Sequence, residues 1–162
     1  NRRGYTENWN GSSWTEVADL NTARSAFGSA GAGNPASLAF GGYTGTAYSA
    51  ASESWNGSAW TETNDLNQSR AVNAGIGATS TSALYAGGYS PSAPNNYVAL
   101  TEDWNGASWV EVADLNTARG NNAASGTASA GFVFSGEHPS GGVTTSSEEW
   151  SGSTITTKVL TD

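Results

Sequence analysis

Trp9-Asn10-Gly11-Ser12-Ser13-Trp14 returns along the chain as Trp55-Asn56-Gly57-Ser58-Ala59-Trp60, as Trp104-Asn105-Gly106-Ala107-Ser108-Trp109, and in altered form as Trp150-Ser151-Gly152-Ser153-Thr154-Ile155. The first residue of these copies falls at 9, 55, 104 and 150, a spacing of 46, 49 and 46 residues. A period of that length signals a solenoid, propeller or array, because each unit is too small to bury a core alone and gains one by stacking on its neighbours. The repeat decides the architecture. It leaves function to whatever is grafted onto the scaffold.

Working outward, the unit from Asn21 to Leu66 opens after Leu20 with Asn21-Thr22-Ala23-Arg24, matched by Leu66-Asn67-Gln68-Ser69-Arg70 and Leu115-Asn116-Thr117-Ala118-Arg119. The run Ser25 to Gly33 holds only small residues apart from Phe27, as a crowded first strand requires. After a loop at 34–37 comes a short apolar segment closing on glycine: Leu38-Ala39-Phe40 before Gly41-Gly42, Leu84-Tyr85-Ala86 before Gly87-Gly88, and Phe132-Val133-Phe134 before Ser135-Gly136. Such runs read as buried strands. A polar loop leads to the third strand at Ser52-Glu53-Ser54-Trp55, the Asn-Gly pair predicts a tight hairpin turn, and Trp60-Thr61-Glu62-Thr63 is the fourth strand. Helical periodicity is absent, and Gly, Ser, Thr and Asn oppose helix. Each unit is therefore expected to be a four-stranded antiparallel meander, and radial repetition of such sheets makes an all-β propeller.

The Arg at the start of each unit, the apolar strand ending in Gly-Gly, and the Glu and Trp before a turn and a second Trp together resemble the kelch repeat of β-propellers. The resemblance covers essentially the whole chain; the last copy departs from it at Ser135 and Ile155. The wording WNGSSW, DLNTAR and AFGGY also resembles low-complexity kelch-type arrays in tail fibres and appendages of marine bacteriophages. That likeness implies a virion structural protein with a role in host recognition.

The expected organisation is a half blade at residues 1–20 (two outer strands), blades at 21–66 and 67–115, and a divergent C-terminal blade at 116–162, about three and a half in all. A closed ring needs about four or more blades. The expected partners are therefore further blades from the same longer chain, with the altered last copy marking a capping repeat, or alternatively a second copy completing a seven-bladed ring.

Composition narrows the classes of function. The net charge is −8, with six basic residues scattered along the chain, which argues against nucleic acid or an anionic membrane as partner. Glu7, Glu53, Glu102 and Glu148 precede the first Trp by two residues, and Glu16, Glu62 and Glu111 follow the second by two; this periodic charge reads as a solvated sheet face. There is no Cys, so disulfides, thiol catalysis and thiolate metal sites are excluded, and packing alone must hold the chain. No apolar run reaches membrane-spanning length.

Two repeated features admit both a binding and a packing reading. Arg24, Arg70 and Arg119 would form either an anion-binding ring or fork-like pairs with Glu; the packing reading is preferred because a residue present in every repeat normally belongs to its packing. The tryptophans would be either a sugar-stacking surface or packing between blades, and packing is again preferred. Asp19-Leu20-Asn21 and Asp65-Leu66-Asn67 lack the dense oxygen ligands of calcium loops. Asn10, Asn56 and Asn67 lie in glycosylation-type sequons, which the turn explains for the first two. His138 is the only His. Kelch-like copper oxidases require Cys, Tyr and His ligands, so neither catalysis nor a cofactor or metal is expected.

Departures from the repeat locate the candidate site. The loops Tyr43 to Ala51, Tyr89 to Leu100 and Glu137 to Ser147 vary in length and sequence, and variable loops on one face of a repeat array are its usual binding side. Tyr43, Tyr48, Tyr89, Asn95, Asn96, Tyr97 and His138 combine stacking with hydrogen bonding there; unselected loop variation is the competing explanation. The expected function is a non-enzymatic structural or adhesin module, virion-borne or extracellular, binding surface glycan or protein. The alternative is a cellular kelch scaffold for protein–protein interaction.

Overall fold

The computed structural model describes residues 2–152 and the strand at 155–158. Among the described residues there is no helix, and the strands form antiparallel sheets in chain order. A two-stranded sheet, β1 (Thr6–Trp9) and β2 (Trp14–Val17), comes first. Three four-stranded sheets follow. The first holds β3 (Gly28–Gly33), β4 (Ala36–Phe40), β5 (Ser52–Trp55) and β6 (Trp60–Glu62). The second holds β7 (Gly75–Thr79), β8 (Ser82–Ala86), β9 (Thr101–Trp104) and β10 (Trp109–Glu111). The third holds β11 (Ala123–Thr127), β12 (Ala130–Phe134), β13 (Ser147–Trp150) and β14 (Ile155–Lys158). Each is an unbroken meander, in keeping with propeller blades, and no closed ring forms among the described residues.

The small residues of the first strands are explained by crowding where sheets converge. Strands β3, β7 and β11 lie side by side. A Cβ on Gly75 would stand 2.3 Å from the Ser29 carbonyl oxygen, and one on Gly77 would stand 2.9 Å from the Ala30 Cβ. Large side chains are displaced to the next strands, where alternation divides them between two neighbours. Ala83 and Tyr85 of β8 pack with Leu38 and Phe40 of the first sheet, whereas Leu84 and Ala86 pack with Val133 and Trp150 of the third.

The tryptophans of the opening motif divide their work. The first Trp of the last three copies holds the loop between the first two strands of its own sheet: the indole N–H donates to Asn34 Oδ1 from Trp55 (3.2 Å), to the Ser80 carbonyl from Trp104 (3.1 Å) and to the Ala128 carbonyl from Trp150 (2.8 Å). The second Trp reaches back to the preceding sheet. Trp60 donates to Thr6 Oγ1 and Trp109 to Ser52 Oγ, both at 3.0 Å. Trp109 also meets the edge of Phe40, with ring centroids 4.8 Å apart. Among the described residues the two-stranded sheet has no inner strand to supply a counterpart of Phe40, and a cavity of about 210 Å³ opens between it and the first four-stranded sheet.

The hairpin itself differs from the expected tight Asn-Gly turn. Trp9 pairs with Trp14, Trp55 with Trp60 and Trp104 with Trp109, leaving four residues in each loop. Only Gly carries the positive φ (99°, 96° and 93° at Gly11, Gly57 and Gly106). Asn acts through its side chain: Asn56 Oδ1 accepts the backbone N–H of Ser58 and Ala59 at 2.9 and 3.0 Å, and Asn10 and Asn105 do the same. A short carbonyl side chain that can bond the backbone two and three residues on is what this loop requires.

The periodic glutamates fall into two sets, which corrects the expectation of one solvated face. Glu7, Glu16, Glu62 and Glu111 are exposed, but Glu53, Glu102 and Glu148 are buried. Burial of these carboxylates is made tolerable by a buried arginine in the same sheet unit: Arg24 at 3.2 Å from Glu53, Arg119 at 2.8 Å from Glu148, and Arg70 against Glu102. The Asn of the Leu-Asn-x-x-Arg segment adds its backbone N–H, at 2.7 Å from Asn21 to Glu53, 2.7 Å from Asn67 to Glu102 and 2.6 Å from Asn116 to Glu148. Buried ions persist when paired and hydrogen-bonded in this way. Burial pushes the Arg24 guanidinium below its ordinary value, and Glu53 opposes that shift.

Backbone bonds complete the joints between sheets. Gly42 N–H donates to the Arg70 carbonyl at 2.9 Å and Gly88 N–H to the Arg119 carbonyl at 2.8 Å. The glycine before each, Gly41 (φ 68°) or Gly87 (φ 79°), has no room for a Cβ, which would lie 2.8 or 2.7 Å from that same carbonyl oxygen. Ser135 keeps the left-handed turn (φ 61°) in the third sheet, over which no further sheet lies among the described residues. Val72 N–H donates to the Ala26 carbonyl (2.9 Å) and Asn121 N–H to the Val72 carbonyl (2.7 Å). All three residues are left-handed, a conformation unfavourable for Val that the bonds between sheets help to hold.

Candidate binding face

The loops after β4, β8 and β12 lie beside the Gly-Gly turns and occupy repeat-equivalent places. Tyr43 bridges Ser25 and Tyr48, Tyr89 bridges Ala71 and Tyr97, and Glu137 bridges Gly120 and Val143. This register puts four of the sequence-predicted residues into one row. Ring centroids are 5.1 Å apart for Tyr43 and Tyr48, 5.3 Å for the stacked pair Tyr48 and Tyr89, and 5.5 Å for Tyr89 and Tyr97. All four rings are half-buried. The row passes from the first sheet to the second at Tyr48–Tyr89, and reaches the third where the Tyr97 hydroxyl donates to Glu137 Oε2 at 2.6 Å. Gly120 permits that last crossing, since a Cβ there would stand 3.1 Å from the Tyr97 ring.

Opposite charges end the row. Arg2 lies over the Tyr43 ring, its guanidinium carbon 5.1 Å from the centroid, with Nε donating to the Tyr43 carbonyl at 3.4 Å. At the other end, the bond from Tyr97 chiefly, and one from Asn121, hold the Glu137 carboxyl below its ordinary value. The same bond pushes the Tyr97 hydroxyl up, and burial does so for Tyr48. Because its folded value lies below the ordinary one, Glu137 contributes stability that is fully present above the ordinary carboxylate range and is lost as pH falls through the folded-state value. Tyr97→Phe is expected to raise the Glu137 titration midpoint toward that of a free carboxylate, read by NMR; an unchanged midpoint would mean that the bond is absent in solution.

Asn95, Asn96 and His138 are not part of the row's ring contacts. Asn96 forms a left-handed turn (φ 62°), its N–H donating to Ala93 and its carbonyl accepting from Ser90; Asn95 is exposed beside it. His138 Nδ1 lies 2.6 Å from Ser140 Oγ and accepts the Ser140 N–H at 3.2 Å, closing its own loop. Arg2 and Glu137 were missing from the candidates read from sequence. Glu137 had a signal, since it stands at the repeat position of Tyr43 and Tyr89; Arg2 precedes the repeat and had none.

The other repeated candidates sit elsewhere. Arg24, Arg70 and Arg119 are buried against carboxylates, not displayed as a ring. Trp55, Trp104, Trp109 and Trp150 are buried and Trp60 is half-buried, leaving Trp9 and Trp14 exposed. Among the described residues no three His, Asp or Glu side chains are grouped to hold a metal ion.

No protein-family model and no curated protein matches the chain. Among solved structures it is similar to that of YjhT, a kelch-like propeller protein, with a TM-score of 0.74 and 14% identity over 96% of this chain and 51% of that one. The chain thus spans about half the length of that structure. At such low identity the likeness concerns the fold alone: an all-β array of antiparallel sheets compatible with propeller blades.

Proposed function

We propose that the chain is a kelch-type propeller segment acting as a non-enzymatic structural and adhesin module of a virion appendage or other extracellular assembly, and that its tyrosine row contacts a surface glycan. The observation that carries this reading is the continuity of Tyr43, Tyr48, Tyr89 and Tyr97 across two sheets, ending in Arg2 and Glu137. Half-exposed tyrosines offer apolar ring surface together with hydroxyls, the combination that sugar rings engage. The virion setting rests on the phage-like style of the repeat.

An array of bacterial surface polysaccharides tests the proposal. Binding is expected for the intact chain and should weaken at least about tenfold in Tyr48→Ala and Tyr89→Ala, the scale of truncating an aromatic contact. Silence across the array, with a protein partner captured through the same tyrosines, would instead favour the interaction-scaffold reading.

A further inference from the structure

The four hydroxyls of the tyrosine row are not equivalent. Tyr43 donates its hydroxyl to the Gly45 carbonyl at 2.9 Å and Tyr97 donates to Glu137 Oε2 at 2.6 Å, so both outer phenols are committed within the chain. The hydroxyls of Tyr48 and Tyr89 have no hydrogen-bond partner among the described residues, and both reach solvent. These two rings meet at the joint between the first and second four-stranded sheets, inside the array. They stack with an interplanar angle of 30°, and each has a second ring within 5.5 Å, Tyr43 for Tyr48 and Tyr97 for Tyr89. Faces turned to one another are closed to a sugar. Ring edge and hydroxyl are what the pair offers outward.

We infer, resting on the reading that the row contacts a glycan, that Tyr48 and Tyr89 recognise a neutral, hydroxyl-rich glycan by donating their phenolic hydroxyls to its oxygens, not by stacking under its rings. A phenol is a hydrogen-bond donor, and the edge of an aromatic ring carries the positive part of its quadrupole, so edge and hydroxyl together suit oxygen lone pairs. Burial, and then the neighbouring Tyr89, push the Tyr48 hydroxyl up, so it keeps the proton it donates. Charge selects against an acidic sugar. The bond from Tyr97 holds Glu137 ionised at the end of the row, the Tyr97 ring lies 5.5 Å from that of Tyr89, and the whole chain carries −8. A uronate carboxylate on the pair would meet that field, whereas sugar hydroxyls do not. Arg2 lies over Tyr43, one ring removed from the pair.

Titration calorimetry of the 162-residue chain with dextran, mannan and galactan, and with polygalacturonate as the acidic counterpart, tests this. Binding to a neutral polymer is expected, with polygalacturonate at least about tenfold weaker. Tyr48→Phe and Tyr89→Phe keep the rings and hence the row. Each should nonetheless weaken binding about tenfold, as Tyr48→Ala and Tyr89→Ala do, because a hydrogen bond to the glycan is lost. Tyr43→Phe and Tyr97→Phe, whose hydroxyls already have partners, should weaken it less. Neutral-glycan binding that the phenylalanine variants keep and the alanine variants lose would overturn the inference and leave the glycan reading standing, with ring stacking as its mode. A preference for polygalacturonate would do the same. Binding that both sets of variants keep, or none to any polymer, removes the glycan reading and the inference with it.

Discussion

Glu102→Ala is expected to destabilise the chain by about 3–5 kcal/mol, the loss typical of removing one partner from a buried ion pair. Glu102 is fully buried, faces Arg70, and accepts both the backbone and the side-chain N–H of Asn67, so its removal strands a buried cation and two donors together. Against a typical folding stability of about 5–15 kcal/mol, that loss removes much of the margin. Glu62→Ala, in the exposed set, should stay within about 0.5 kcal/mol of the parent. Replacing both Arg70 and Glu102 by leucine should cost less than Glu102→Ala alone, because no charge is orphaned. Urea unfolding of the four proteins checks the order; equal losses for Glu102→Ala and Glu62→Ala would contradict the buried-pair account.

Trp109→Ala should cost about 3–5 kcal/mol, in the range for truncating a large buried aromatic. Trp109 is 5% exposed, meets Phe40 edge-on and donates its indole N–H to Ser52. Trp14, at the same motif position, is 63% exposed, and Trp14→Ala should cost less than about 1 kcal/mol. Two chemically identical substitutions at equivalent positions thus differ because, among the described residues, Trp109 has a preceding sheet to enter and Trp14 does not. Comparable losses would mean that the second tryptophan acts within its own hairpin.

The contrast also marks what could be read from sequence. The spacing of the Trp motif, the apolar segments before Gly-Gly and the small first strand were enough to define four-stranded meanders, since each is a local pattern with one structural solution. Which sheet each indole addresses was not legible: Trp55 and Trp60 sit five residues apart in one motif, yet one bonds within its sheet and the other across to Thr6. Glu53 looked like part of a solvated face because its partners, Arg24 and Asn21, lie about thirty residues away and meet it only after folding. The tyrosine row was partly visible. Variable-loop position singled out Tyr43, Tyr48, Tyr89 and Tyr97, but their union into one row depends on sheet-to-sheet stacking, which no single loop encodes.

The central claim is that successive sheets are joined by the second tryptophan of each motif entering the sheet before it. Nuclear Overhauser contacts of the tryptophan indoles test it directly. The account predicts cross-peaks from the Trp109 indole to the Phe40 ring, whose centroid lies 4.8 Å away, and from the Trp60 indole N–H to the Thr6 side chain. Indole contacts confined to each tryptophan's own hairpin would contradict it.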